Sequence, residues 1–185
     1  MKKHVVGCVL LVVTGVPSMS VAAPEQSPHL VNPFWYVNHP CVYHAATRYR
    51  LTPRILEAIV HVESKGNPYA VSVNEKGEGH TQGPLTYTEA KAVVQKLWKE
   101  GKNFDVGLTE INSIHMKTYR LDPVLLLDPC TNLYWGAFIL RQKVNQFGEG
   151  WVAVGRYNGS RNVVGYSWKI FEALKVLDQV VHGKR

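Results

Sequence analysis

Residues 61 to 72 read HVESKGNPYAVS, and one side chain among them, Glu63, is placed where a carboxylate can do acid–base chemistry. The run before it, TPRILEAIVHVES, predicts a helix from Pro53 to Ser64, with Thr52 as its cap and Pro53 at the first helical position. Leu56, Ile59, Val60 and Glu63 fall at i, i+3, i+4 and i+7, so the glutamate shares the apolar stripe and faces core or cleft rather than bulk water. Gly66 supplies a left-handed helix stop, and Asn67-Pro68 carries the chain away as an extended turn. Burial and the negative end of the helix dipole both disfavour an ionised carboxylate there. A glutamate that keeps its proton at neutral pH is a general acid. The alternative reading leaves Glu63 paired with Lys65 or Arg54 on a partly solvated edge.

The elements that must hold this residue are mostly helical. Cys41 to Tyr49 forms a short helix ahead of the one carrying Glu63. Residues 65 to 85 are rich in glycine and proline and are expected to be an irregular, functional polar loop. TYTEAKAVVQKLWKEG predicts a helix with a capping box of Thr86 and Glu89 and a stripe of Ala90, Val93, Val94, Leu97 and Trp98. NFDVGLTEIN reads as a short extended piece. Asp122-Pro123 and Asp128-Pro129 each combine a cap with a first-turn proline, so two helices start there. The second puts Leu133, Ala137, Leu140, Val144 and Phe147 on one face. WVAVGRYNG gives another short helix, and residues 163 to 182 a last one with Ile170, Leu174, Leu177 and Val181 inward. Strand content is small, so the domain is all-α or α+β.

At 185 residues the chain supports one domain with a sizeable core. Residues 1–22 read as a secretory signal peptide: Lys2, Lys3 and His4, an apolar stretch from Val5 to Val16, then small residues up to Ala22. The stretch is too short to span a membrane, and Cys8 leaves with it. Residues 23–40 form a lead-in segment, 41–160 the main domain and 161–185 a C-terminal helix. After signal removal 19 basic and 14 acidic side chains remain, a charge of about +5 without a polybasic run. That balance suits an anionic polymer and gives no sign of nucleic acid. Cys41 and Cys130 remain as an even pair in an exported chain, which reads as a disulfide. Closing that loop stabilises the fold by roughly 4 kcal/mol on the chain-entropy model.

Other chemistries fail on spacing. His61-x-Glu63 with Pro129-Cys130 would suit a zinc deaminase only with a second cysteine where Leu133 stands. His44, His80 and His115 are scattered, so no metal is expected. GEGHTQG lacks a glycine that a dinucleotide loop requires, and no cofactor is expected. Ser64 and Ser72 lack the turn of a serine hydrolase. What remains is a buried-facing acid, a polar loop, and the polar and aromatic residues of FDVGLTEIN and RYNGS, of the kind that line a saccharide groove.

The order Cys41, Ala46, Tyr49, Pro53, Leu56, Ile59, Glu63-Ser64, Asn67-Pro68, Ala70 and Ser72, then Gly107-Leu108 with Ile111-Asn112, Asp128-Pro129-Cys130, Asn132-Leu133, Gly136-Ala137, Ile139-Leu140 and Tyr157-Asn158, resembles the soluble lytic transglycosylase family. The finer resemblance, in the cysteine pair and the inserted helix before Gly107, is to small single-domain members that accompany conjugation, type IV secretion and pilus systems. It implies a mainly α, lysozyme-like α+β fold, a single helical domain with a long polar loop, little β structure and one disulfide. It also implies a periplasmic location, peptidoglycan glycan strands as substrate, and components of a transenvelope machine as partners. By the same resemblance Glu63 is the sole catalytic acid/base, forming 1,6-anhydroMurNAc without consuming water. Ser72, Glu110, Asn112, Tyr157 and Asn158 would contact substrate. One departure is Glu110, where the family usually has glutamine. An ionised Glu110 cannot donate as an amide does and, near Glu63, would raise its pKa. Glu110 is expected to keep a sugar contact and shift the acidic limb of activity, or else to orient a water and make the chain a muramidase like goose-type lysozyme. A catalytically weak wall-binding assembly factor is the remaining alternative.

Overall fold

Leu56, Ile59 and Val60, the stripe that precedes Glu63, are all 0% exposed in a computed structural model that describes residues 32–75, 78–83, 85–159 and 161–183. The expected signal peptide, and the lead-in as far as residue 31, lie outside the described residues. The stripe belongs to helix α2, Pro53–Glu63, which packs between α1 (Pro40–Arg48), α5 (Pro129–Phe147) and α7 (Val163–His182). The burial of α2 explains its helicity better than its cap does. Thr52 occupies the cap position but makes no side-chain hydrogen bond, and Pro53 alone presets the first turn. Asp128 does cap α5, accepting from the Thr131 amide at 2.7 Å, and Asp122 caps a 3-10 turn over Pro123–Leu127. The Thr86–Glu89 capping box starts α3, Tyr87–Lys99, which buries Ala90, Val94 and Leu97.

The loop expected over residues 65–85 is instead half of a sheet. Strand β1, Val71–Glu75, pairs antiparallel with β2, Glu78–Gln82, and with β3, Phe104–Val106. β4, Ile111–Asn112, completes the order β2-β1-β3-β4. The alternation Val71-Ser72-Val73-Asn74 is the strand signal, with both valines buried and the polar pair half-buried. The weight of turn-forming residues around it hid that signal. A helix the sequence reading passed over, α4 (Ser113–Tyr119), follows β4 directly. It is capped by Asn112 and buries little besides Ser113 and Met116, so its sequence carries no apolar stripe. Phe147, expected inward, lies exposed at the end of α5 beneath the Arg156 guanidinium. Helix α6, Trp151–Gly155, joins α5 to α7 and packs on both.

Cys41 and Cys130 form the expected disulfide, with Cα atoms 5.2 Å apart, tying the start of α1 to the start of α5. The end of the lead-in is part of the body. Tyr36 is fully buried and hydrogen bonds with His61 Nδ1 at 2.8 Å, while the Trp35 indole donates to the Gly66 carbonyl at 2.7 Å. Gly66 has φ of 81°, and a Cβ there would lie 2.7 Å from the Tyr36 ring. Both facts demand glycine, and they fix how the chain leaves the helix that ends at Glu63.

Candidate active site

The sheet presents one face to a cleft of about 890 Å³. Ser72 is registered against Asp105, and Asp105 against Asn112, so these three side chains form a row across the strands. Asn74, two residues beyond Ser72, shares their face. The opposite face carries Val71, Val73, Phe104, Val106 and Ile111 into the core. The row is knitted together: Asn74 donates to one Asp105 oxygen at 2.5 Å and Asn112 to the other at 2.8 Å.

Glu63 enters this cleft from the last turn of α2. Burial pushes its carboxyl up from 4.5 to about 7, and the Asp105 charge adds to the rise. A hydrogen bond donated by the Tyr166 hydroxyl and the Lys169 ammonium, both from α7, act in the opposite direction. Tyr166 keeps its own proton, because burial and the Glu63 charge raise it far above the usual tyrosine range. The result is a carboxyl that carries a proton near neutrality and is aimed by a fixed donor. Neither partner offered by the alternative sequence reading holds it. Arg54 pairs with the buried Glu57 at 2.8 Å, and Lys65 acts on His61.

The loop Gly107-Leu108-Thr109-Glu110 joins β3 to β4 and is clamped on three sides. Ser64 donates to the Leu108 carbonyl at 2.8 Å, linking the loop to the end of α2. Asn132 of α5 accepts from the Thr109 amide at 2.9 Å and from its hydroxyl at 2.7 Å, and donates to the carbonyls of Val106 and Leu126. Tyr157 donates to the Thr109 carbonyl at 2.9 Å. Gly107, at φ of 80°, sits so close to Asn132 that a Cβ would lie 2.2 Å from its amide nitrogen. The turn closes through the Glu110 amide on the Gly107 carbonyl, leaving Glu110 itself at φ of 48° with its side chain in the cleft.

Burial, then the Asp105 charge, push the Glu110 carboxyl well above the usual range; a hydrogen bond with Ser72 opposes the shift. Its Oε1 is buried without a hydrogen-bond partner among the described residues. The ionised Glu110 considered from sequence is therefore disfavoured. A neutral carboxylic acid in that place can donate one hydrogen bond, as a glutamine amide would.

All six residues singled out from sequence, Glu63, Ser72, Glu110, Asn112, Tyr157 and Asn158, line this one cleft. Asn112 also has local tasks: it caps α4, and its amide is given to Asp105 and Asn103. The Tyr157 hydroxyl is committed to the loop, so what it turns to the cleft is ring. Sequence reasoning missed Asp105, Tyr166, Lys143 and Lys169. For Asp105 the signal was available, since it stands two residues before Gly107 in an extended piece; for Tyr166, which lies 103 residues from Glu63, there was none. His115 also lines the cleft, while His44 does not; the His80 side chain lies outside the described residues. Among the described residues no cluster of ligands could hold a metal ion, and no helix is long and apolar enough to cross a membrane.

Comparison with known proteins gives relatives and a family for the chain. Over 90 residues the chain is 36% identical to the type IV secretion system protein virB1 of Brucella abortus, covering 49% of this chain and 37% of that protein. Over 122 residues it is 29% identical to the protein IpgF of Shigella sonnei, covering 64% of each. It is 30% identical to the invasion protein IagB of Salmonella typhimurium, covering 64% of this chain and 61% of that one. The chain thus spans about a third to two thirds of the length of these relatives. The pattern of the transglycosylase SLT domain matches residues 40–173, from the first residue of α1 through the half of α7 that carries Tyr166 and Lys169. With the match running over most of the chain, the protein is a member of the transglycosylase SLT domain family.

Proposed function

We propose that the protein is a peptidoglycan lytic transglycosylase that cuts the β-1,4 bond between MurNAc and GlcNAc. The observation that carries this reading is Glu63, a glutamic acid held protonated to about pH 7 at the wall of a polar cleft and met there by the Tyr166 hydroxyl. Glu63 gives its proton to the glycosidic oxygen as the bond to the MurNAc anomeric carbon breaks. Its carboxylate then takes the proton of the C6 hydroxyl of the same MurNAc, whose oxygen closes on the anomeric carbon as a 1,6-anhydro ring. Atoms and protons balance without water, and Glu63 returns to its acid form. Tyr166 steadies the carboxylate between the two steps, and Ser72, Glu110, Asn158 and the ring of Tyr157 contact sugar.

A second reading is favoured by Asp105, a carboxylate across the cleft whose charge reaches Glu63. Paired carboxylates are what a glycosidase using water employs, and in that case the protein is a muramidase. Asp105 is raised by burial and already accepts from two amides, which suits a charge partner for Glu63 better than a base awaiting water.

The relatives include a type IV secretion system protein and an invasion protein, and on that ground the cut is proposed to open the wall locally for a transenvelope apparatus. Residues 1–22 are proposed as the export signal to the periplasm, with the domain over 41–160 and the helix that follows it acting there. The test is release of soluble fragments from purified sacculi. Glu63→Gln is expected to lower the rate by about 10²- to 10⁴-fold, the usual worth of a positioned acid. Equal release by both proteins would remove Glu63 from the chemistry, and no release by either would leave a wall-binding assembly factor.

A further inference from the structure

The cleft carries two lysines, and they act on different neighbours. Lys169, from α7, acts on Glu63. Lys143, from α5, acts on His115 of α4 and perturbs none of the three cleft carboxylates. It is half-buried and takes part in no ion pair or hydrogen bond among the described residues. Beside it, Ile114 is 61% exposed, and the His115 ring stacks on Tyr119 at 6.4 Å and 11°. An unpaired ammonium beside His115, in a lining that includes the exposed Ile114, is therefore offered to the cleft.

The rest of the lining says what kind of ligand that cation meets. Asn74, Asn103, Asn112 and Asn158 present amides suited to hydroxyl and acetamido groups, and the Asp105 charge, with Glu63 and Glu110 held neutral beside it, disfavours a polyanion there. The cleft is thus shaped for a polymer that is neutral over most of its length and bears carboxylates at intervals. We propose that Lys143, walled by His115 and Ile114, forms a subsite for a carboxylate carried on the lactyl arm of a muramyl residue, making the protein selective for muramyl glycans over uncharged chitin-type chains. This rests on the glycan-cleaving function proposed above. The carboxylate is that of the bare lactyl group or one on the peptide attached to it; both present the same chemistry to the ammonium.

Equilibrium binding tests the subsite apart from catalysis. The protein carrying Glu63→Gln is measured against three soluble oligosaccharides: peptide-bearing muramyl glycan, the same glycan stripped of peptide, and GlcNAc oligomers. Adding Lys143→Gln is expected to weaken carboxylate-bearing ligands about tenfold, the worth of one charge-assisted contact, and to change GlcNAc oligomers less than twofold. Lys143→Arg restores binding, and added salt erodes the difference. Loss with the peptide-bearing ligand alone assigns the carboxylate to the peptide, loss with the stripped glycan alone assigns it to the free lactyl group, and loss with both shows that either carboxylate reaches the ammonium. An equal loss for all three ligands, or none for any, overturns the proposal. Failure of the Glu63 protein to cut sacculi would instead overturn the function and leave this binding result to be read on its own.

Discussion

Glu63 sits between opposed influences of which the first pair prevails: burial and Asp105 hold its proton on, Tyr166 and Lys169 ease it off. Because the acid form starts the reaction, kcat/KM is expected to fall as pH rises through about 7. Tyr166→Phe removes a bond to the ionised form and is predicted to move that fall to higher pH; Asp105→Asn removes a like charge and is predicted to move it lower, each by on the order of one unit. A pH–rate profile with both limbs unmoved would separate these residues from the acid. The same shift has a stability consequence. The folded state holds the Glu63 proton up to about 7 and the unfolded chain releases it near 4.5, so between those values folding loses stability as pH rises. Glu63→Gln is therefore expected to raise the melting temperature at pH 8 more than at pH 4, measured by thermal denaturation of both proteins. Glu63 was legible in sequence because its helical spacing puts it on a stripe. Tyr166 was not, because only the packing of α7 on α2 brings it there.

At the scale of elements, the site depends on how α2, α5 and α6–α7 grip the Gly107–Glu110 turn. Asn132 is 1% exposed and satisfies four backbone or hydroxyl groups at once. Asn132→Ala leaves those groups buried without partners, and is predicted to cost about 3 kcal/mol in denaturant unfolding. A loss below about 1 kcal/mol would show that the turn is held by Ser64 and Tyr157 instead. Helices α2, α3 and α5 were readable because a start signal, a first-turn proline in α2 and α5 and a capping box in α3, agrees with an apolar period in each. The β1–β2 hairpin was not, since glycine-rich, charged residues outweigh the four-residue alternation of β1. That miss mattered for the site. Only the strand register shows that Ser72, Asp105 and Asn112 stand side by side, with Asn74 on the same face.

For the molecule as a whole, the disulfide joins α1 to α5 across 89 residues of sequence, and those residues contain Glu63, the sheet and the clamped turn. Reduction is predicted to lower stability by about 4 kcal/mol on the chain-entropy model, with Cys41→Ala/Cys130→Ala showing the same loss and no further response to reductant. Its pairing was legible because two cysteines remain once Cys8 is assigned to the export signal. The Lys143 subsite was not, since only the folded chain brings Lys143 and His115 to the same cleft with no ion pair for the ammonium among the described residues. What replaces the broken glycosidic bond is read directly by mass analysis of the muropeptides released from sacculi. Ends of 1,6-anhydroMurNAc that disappear with Glu63→Gln are the expected result. Reducing ends, each heavier by one water, would overturn the lytic transglycosylase reading and make the protein a muramidase with Asp105 or Glu110 serving the water.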